Sequence, residues 1–249
     1  MIGLAVGALI CAVVIGLVLT GRPIGKIAIY LFQGCVSLAL GPPIPESPAT
    51  APVYRVVSTD SYCIISPKSM TVKANIPSEA EAPALAEKAL ELYGGLPDDA
   101  VLKKVYRNTM KKYNTVTGIV EEEYPQLTQV IYAQYVDGVP VIGPGAEINI
   151  GLGEDGEVLG IEKVWRHLEY SYDVPIISAD EAFEKFRRGE TLVILQESIS
   201  ASQVTEIRLG YYAEHISVDR EYYTPVWIFY LAQWGNDPYP LPVDAVKHI

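Results

Sequence analysis

The chain has 249 residues, enough for one large domain or two small ones once any membrane segment is set aside. Its net charge is −11, unevenly spread: from Pro42 onward stand all 30 acidic residues and 17 of the 19 basic ones, a net −13. So acidic a surface disfavours nucleic acid and anionic lipid headgroups, which draw their affinity from Lys and Arg. It suits a soluble module and a basic or cationic partner.

In chain order, Ile2 to Thr20 is an uncharged apolar run of about the length a helix needs to cross a bilayer. Gly3 and Gly7 inside it have the spacing of a helix-packing face. Arg22 and Lys26 follow, and then Ile27 to Leu40, also uncharged. Two topologies are open. If the first run alone spans, the two cations hold its end in the cytoplasm and the large domain stays inside. If the second run also crosses, or serves as the apolar core of a signal sequence with Ser37-Leu38-Ala39 as a cleavage site, the domain lies outside. We prefer the second: residues 1–41 as membrane anchor or signal region, with the globular part extracytoplasmic. Residues 42–52 form a Pro-rich spacer, extended and unable to be a central strand.

The globular part divides into units at 53–170 and 171–249. Short strands are expected at Val53–Val57 and Tyr62–Ile65, with Thr71–Ala74 as a possible third. Ser78 and Glu81 have capping-box spacing and open a helix whose apolar face holds Ala82, Leu85, Ala86, Ala89, Leu92 and Tyr93, stopped by Gly94-Gly95. A strand near Ala100–Met110 precedes the central pattern. There Val130, Tyr132 and Gln134 alternate with Ile131, Ala133 and Tyr135, and Asp137-Gly138 supplies a hairpin turn. Asp155-Gly156 repeats the turn. A second helix opens at Ser178-Ala179-Asp180-Glu181-Ala182, buries Ala182, Phe183 and Phe186, and ends at Gly189. Strands Val204–Ala213, Thr224–Ala232 and Leu241–Val246 close the chain, with a turn at Gly235–Pro238. Helix followed by antiparallel strands, twice, reads as a diverged internal repeat and an α+β fold.

Tyr132 to Val141, then Asp155-Gly156-Glu157-Val158, then Ile177 to Ala182 together resemble the FTP-plus-PepSY pattern of thermolysin-type propeptides. Thr224-Pro225-Val226-Trp227 with Val243-Asp244-Ala245 is similar to the closing strands of a PepSY unit. The resemblance implies two tandem PepSY-like units, each a helix packed on an antiparallel sheet. It also implies a membrane-tethered protein that binds or regulates a peptidase or a sensor. No peptidase segment follows, and Val246-Lys247-His248 replaces the usual Gly after the last strand.

Candidate chemistry is sparse. His167, His215 and His248 form no ligand-spaced pair, Glu214-His215 straddles the two faces of a strand, and no phosphate loop or nucleophile elbow is present. Glu121-Glu122-Glu123 reads as a solvated loop, and Cys63, the only cysteine after the apolar runs, as a buried small residue. We therefore expect no catalytic residue, metal or cofactor. The remaining candidates are aromatic: Tyr211, Tyr212, Tyr222, Tyr223 and Trp234 as partner-binding residues, beside Trp227 and Phe229 in the core. An open sheet edge offers a second mode, strand addition. The expected function is a non-enzymatic, membrane-anchored protein that binds or regulates a protein partner; the alternative is a structural subunit of a cell-surface assembly.

Overall fold

The computed structural model describes residues 42–70, 75–193, 201–232 and 238–248. Both apolar runs, the possible strand at Thr71–Ala74, Trp234 and most of the turn at Gly235–Pro238 lie outside the described residues.

Among the described residues, extended structure dominates. Ten strands are present: β1 (Thr50–Ile65), β2 (Ala100–Tyr113), β3 (Val120–Val136), β4 (Val139–Ile142), β5 (Glu147–Leu152), β6 (Val158–Pro175), β7 (Val204–Tyr212), β8 (Tyr222–Tyr223), β9 (Pro225–Leu231) and β10 (Tyr239–Asp244). Two short α-helices accompany them, α1 (Ala82–Leu90) and α2 (Ala179–Arg187). The residues fall into two compact units. The larger holds Pro48–Ser178, Leu209–Trp227 and the residues from Asp244 on; the smaller holds those up to Ser47, Ala179–Arg208 and Ile228–Val243.

In the larger unit β3 is central. It pairs antiparallel with β2 on one side and with β5 on the other, and β5, β6 and β1 continue the sheet, with β8 on the far edge of β1. Val141 and Ile142 of β4 pair in parallel with Tyr211 and Tyr212 at the end of β7, so the sheet is mixed. The alternation expected of β3 is present: Thr128, Val130, Tyr132, Gln134 and Val136 are buried, with only Ala133 of the intervening positions joining them. Asp137 (φ +50°) and Gly138 (φ +78°) make the hairpin turn, and Asp155 (φ +54°) and Gly156 (φ +81°) make the next.

Helix α1 is opened by a reciprocal pair. The Glu81 amide donates to Ser78 Oγ at 3.3 Å and the Ser78 amide to Glu81 Oε2 at 3.1 Å. Its end is closed by Gly94 (φ +90°), while the Gly95 amide donates back to the Leu90 carbonyl at 2.8 Å. Ala82, Ala86 and Leu90 face inward and pack on Val130, Tyr132, Ile148, Ile150, Leu152, Ile161 and Trp165. Leu92, expected on that face, is 84% exposed, because the chain tightens into a 3-10 turn over Glu91–Tyr93 and shifts the register.

In the smaller unit, Asp180 and Glu181 sit in the first turn of α2 and Lys185 and Arg187 in the last, complementing the helix dipole. The Ala179 amide donates to Ser47 Oγ at 2.8 Å. Phe229 of β9 stacks against Phe186 and Phe183, at 4.7 and 6.0 Å between centroids.

Three expectations are corrected. The fold is a strand-dominated, mixed-sheet architecture with two short helices rather than an α+β pair of tandem PepSY-like units, each a helix on an antiparallel sheet. The internal repeat falls with it. After α1 the chain enters the long strand β2, whereas after α2 it leads to β7, whose end joins β4 in parallel. The recurring Ser/Glu opening is local helix-start chemistry and carries no information about the sheet beyond it. The two short strands at 53–65 are one strand, interrupted only by irregularities at Val53/Tyr54 and Val56/Ser58, and that strand reaches back through Pro52 to Thr50, into the spacer.

Leu90→Ala should cost about 2–5 kcal/mol, because Leu90 is fully buried between α1 and the sheet. Thermal denaturation of the purified chain will read this as a clearly lowered midpoint, whereas Leu92→Ala should leave it within error.

Candidate functional site

The predicted aromatic residues separate by burial. Tyr211 and Tyr223 are each 2% exposed. Tyr211 donates to the Pro52 carbonyl at 2.9 Å and meets Tyr54 edge-to-face at 5.3 Å. Tyr54 in turn donates to the Asp137 carboxylate in the β3–β4 turn, and burial pushes the Tyr54 and Tyr211 phenols well above their ordinary range. These contacts fasten the start of β1 to the hairpin. Tyr212 is half-buried. Its ring passes so close to Gly143 (φ +105°) that a Cβ there would lie 2.7 Å from Cε2.

Sequence reasoning missed Arg166, on which this region turns. The side chain is 3% exposed in β6. Its guanidinium donates to the carbonyls of Glu214 (3.0 Å), Gly145 (3.3 Å), Val218 (3.3 Å) and His215 (3.5 Å) and to the Tyr223 hydroxyl at 2.9 Å. No carboxylate is among these partners. Glu214, the nearest acid in the loop, is held by Arg220, with Nη2 to Oε1 at 2.8 Å, and that hydrogen bond lowers its carboxyl pKa. Gly145 is required here: a Cβ would lie 2.1 Å from Arg166 Nη1 and from the Glu214 carbonyl. Lys163 to Arg166 are all buried in β6, a break in alternation that the structure shows and the sequence does not mark.

With Tyr223 held inward, its neighbour Tyr222 points out. It tilts against Tyr172 at 6.3 Å between centroids. Tyr172 is 49% exposed, and the Arg55–Glu169 ion pair (3.1 Å) lies on the same face, Arg55 being opposite Tyr222. Tyr172 and Tyr222 thus share an outer surface, while Tyr170 pairs with Tyr54 on the other face of the sheet. Tyr172 pairs with Val53 and Thr50 with Pro175, so this surface lies where the chain from the N-terminal segment enters the sheet.

The remaining polar candidates are engaged locally. His167 Nε2 meets Asp60 Oδ2 at 3.1 Å, and that contact lowers the Asp60 pKa. His215 Nδ1 contacts Ser217 Oγ at 2.9 Å, and His248 Nε2 meets Asp244 Oδ2 at 2.7 Å. Glu121–Glu123, expected in a loop, begin β3, where Glu122 and Glu123 face Lys112 and Lys111. Cys63, expected to be buried, is exposed. It lines a shallow groove of about 190 Å³ with Ile65, Leu127 and Gly151, on strand positions that α1 does not cover. Among the described residues, no three His, Cys, Asp or Glu side chains converge as a metal site, and no helix is long and apolar enough to cross a membrane.

What the geometry offers is exposed aromatic surface on a sheet scaffold. The family model described as YycI protein matches residues 95–231, more than half of the sequence, and the chain belongs to that family. Its proteins are membrane-anchored regulators that act through a protein partner. The PepSY/FTP resemblance is thereby corrected: Tyr132–Val141, Asp155–Val158, Ile177–Ala182 and Thr224–Trp227 all fall within the YycI match. Those pieces encode hairpin turns and helix starts that many sheet proteins share. No curated protein matches the sequence. Among solved structures, an uncharacterized protein from Eubacterium rectale is similar at 16% identity with a TM-score of 0.34, covering 69% of this chain and 53% of that one. The chain therefore spans about half the length of that protein.

Arg166→Met leaves buried carbonyls without donors and should cost about 2–4 kcal/mol; Arg166→Lys, with three donors in place of five, should recover little. Thermal melts will measure both, and hydrogen exchange should show faster exchange in 213–221. Glu214 should make stability depend on acidity. Its folded pKa is depressed, so its contribution is present at neutral pH and is lost as pH falls through the glutamate range. Melts from pH 7 downward should lose that part of the acid slope in Glu214→Gln.

Proposed function

We propose that this protein is a non-catalytic, membrane-anchored regulator whose extracytoplasmic domain acts by direct contact on a sensor kinase of the WalK type. The observation that carries this reading is the YycI family match over residues 95–231, a family that regulates the WalK kinase. Three features support it. The part of the chain from Pro42 onward carries a net −13, which suits a protein partner better than lipid or nucleic acid. Tyr172 and Tyr222 present aromatic surface near the entry of the chain into the sheet, close to an anchor and hence to the membrane-proximal part of a kinase. Tyrosine combines a rigid apolar ring with a hydroxyl, a combination enriched at protein interfaces.

The test is genetic and biochemical. Deleting the protein should change phosphorylation of the kinase's response regulator, and Tyr172→Ala with Tyr222→Ala should reproduce much of that change at unaltered protein abundance. A deletion that leaves phosphorylation as it was would sink the regulatory reading. A full effect of deletion with none from the tyrosine pair would move the contact elsewhere on the domain.

A further inference from the structure

Strands β2 and β3 run past the rest of their sheet. A row of paired residues crosses four strands: Gln129 opposite Gly151, Gly151 opposite Gly160, Gly160 opposite Ile65. Beyond it, Val120–Leu127 pair with β2 alone among the described strand pairings, so a two-stranded ribbon extends by about 25 Å at 3.3 Å per residue.

Its tip is built to be rigid and apolar. Asn114 Oδ1 accepts from the amides of Val116 and Thr117, both at 3.0 Å, and Asn114 Nδ2 donates to Glu121 at 2.9 Å. The Asn114 amide donates to the Ile119 carbonyl and the Gly118 amide to the Asn114 carbonyl, both at 2.8 Å, with Gly118 at φ +69°. The polar groups of the turn are spent on one another. The apolar side chains face outward: Val116 is 91% exposed, Ile119 64%, Tyr113 55% and Val120 40%. A solvent-facing turn has no need of such residues, and a rigid apolar projection suits insertion into a partner.

The position of the tip decides between a bilayer and a protein. β1 is antiparallel to β6, β6 to β5 and β5 to β3, so the start of β3 lies at the strand ends opposite Thr50, where the tethered segment enters. Ile65 is about 50 Å along β1 from Thr50, and the ribbon adds its own length beyond that level. A right-handed twist of about 20–25° per strand pair, over three pairs, does not turn it back. Just behind the tip, Lys112 pairs with Glu122 (3.4 Å) and Lys111 with Glu123 (3.9 Å), which leaves no cationic collar for phosphate headgroups. Both observations point away from lipid.

We propose that the β2–β3 ribbon inserts Val116 and Ile119 into an apolar pocket on the extracytoplasmic part of the sensor kinase, remote from the anchor. This rests on the regulatory reading above. The test uses the full chain in native membranes, together with its kinase. A photocrosslinker in place of Val116 should give an adduct with the kinase at about tenfold or more the yield of one at Leu92, a comparably exposed control. Val116→Asp with Ile119→Asp should lower co-precipitation of the kinase by a similar factor, while the melting midpoint holds. Lipid adducts alone, adducts with a second copy of this chain alone, or unchanged co-precipitation by the double variant would each overturn the ribbon proposal and leave the regulatory reading standing. Failure of the unsubstituted chain to associate with the kinase would overturn both.

Discussion

Arg166 is the constraint from which the outer surface follows. A guanidinium this deeply buried is tolerated only if its donors are met, and here they are met by backbone carbonyls from two separate stretches and by one phenol. The arrangement fixes the loop after β7, forbids a Cβ at residue 145, and holds Tyr223 inward. Successive strand residues face opposite ways, so Tyr222 must then face out, where it meets Tyr172. The exposed aromatic group is thus a consequence of a buried charge. Glu214 contributes only indirectly, through its carbonyl, because its carboxylate is taken by Arg220.

What was legible in the sequence was local. The Asp137-Gly138 and Asp155-Gly156 turns, the Ser78/Glu81 helix start and the alternation along β3 each depend on residues within a few positions of one another, and each is present. Pairings set by distant residues were illegible. Ser58-Thr59-Asp60 resembles a turn, yet β6 supplies partners along the whole of β1, and irregularities absorb the mismatch. Glu121–Glu123 resembles a solvated loop until Lys111 and Lys112 are seen across the ribbon. The family resemblance failed for the same reason, since its motifs were turn and cap chemistry without the topology that would have distinguished one sheet fold from another.

The tyrosines show the same division within a single cluster. Alternation separates Tyr222 from Tyr223 but does not say which face is covered; only Arg166, Glu214 and the carbonyls around them do. Tyr211 is occupied in a different way, with its hydroxyl on Pro52. That bond makes the last proline of the spacer a strand residue rather than a free hinge. The chain arriving from the N-terminal side is therefore gripped by the sheet from Thr50 onward, with Ala51 and Val53 buried.

Charge then shapes what the exposed surfaces can meet. The part of the chain beyond Pro42 is strongly acidic, which disfavours anionic lipid and nucleic acid. Where apolar or aromatic surface is exposed, however, the charge is paired: Arg55 with Glu169 beside the tyrosines, Lys111 and Lys112 with Glu123 and Glu122 behind the ribbon tip. Exposed pairs of this kind add little stability. Pairing opposite charges at these places also lowers the local field of an otherwise net-acidic surface.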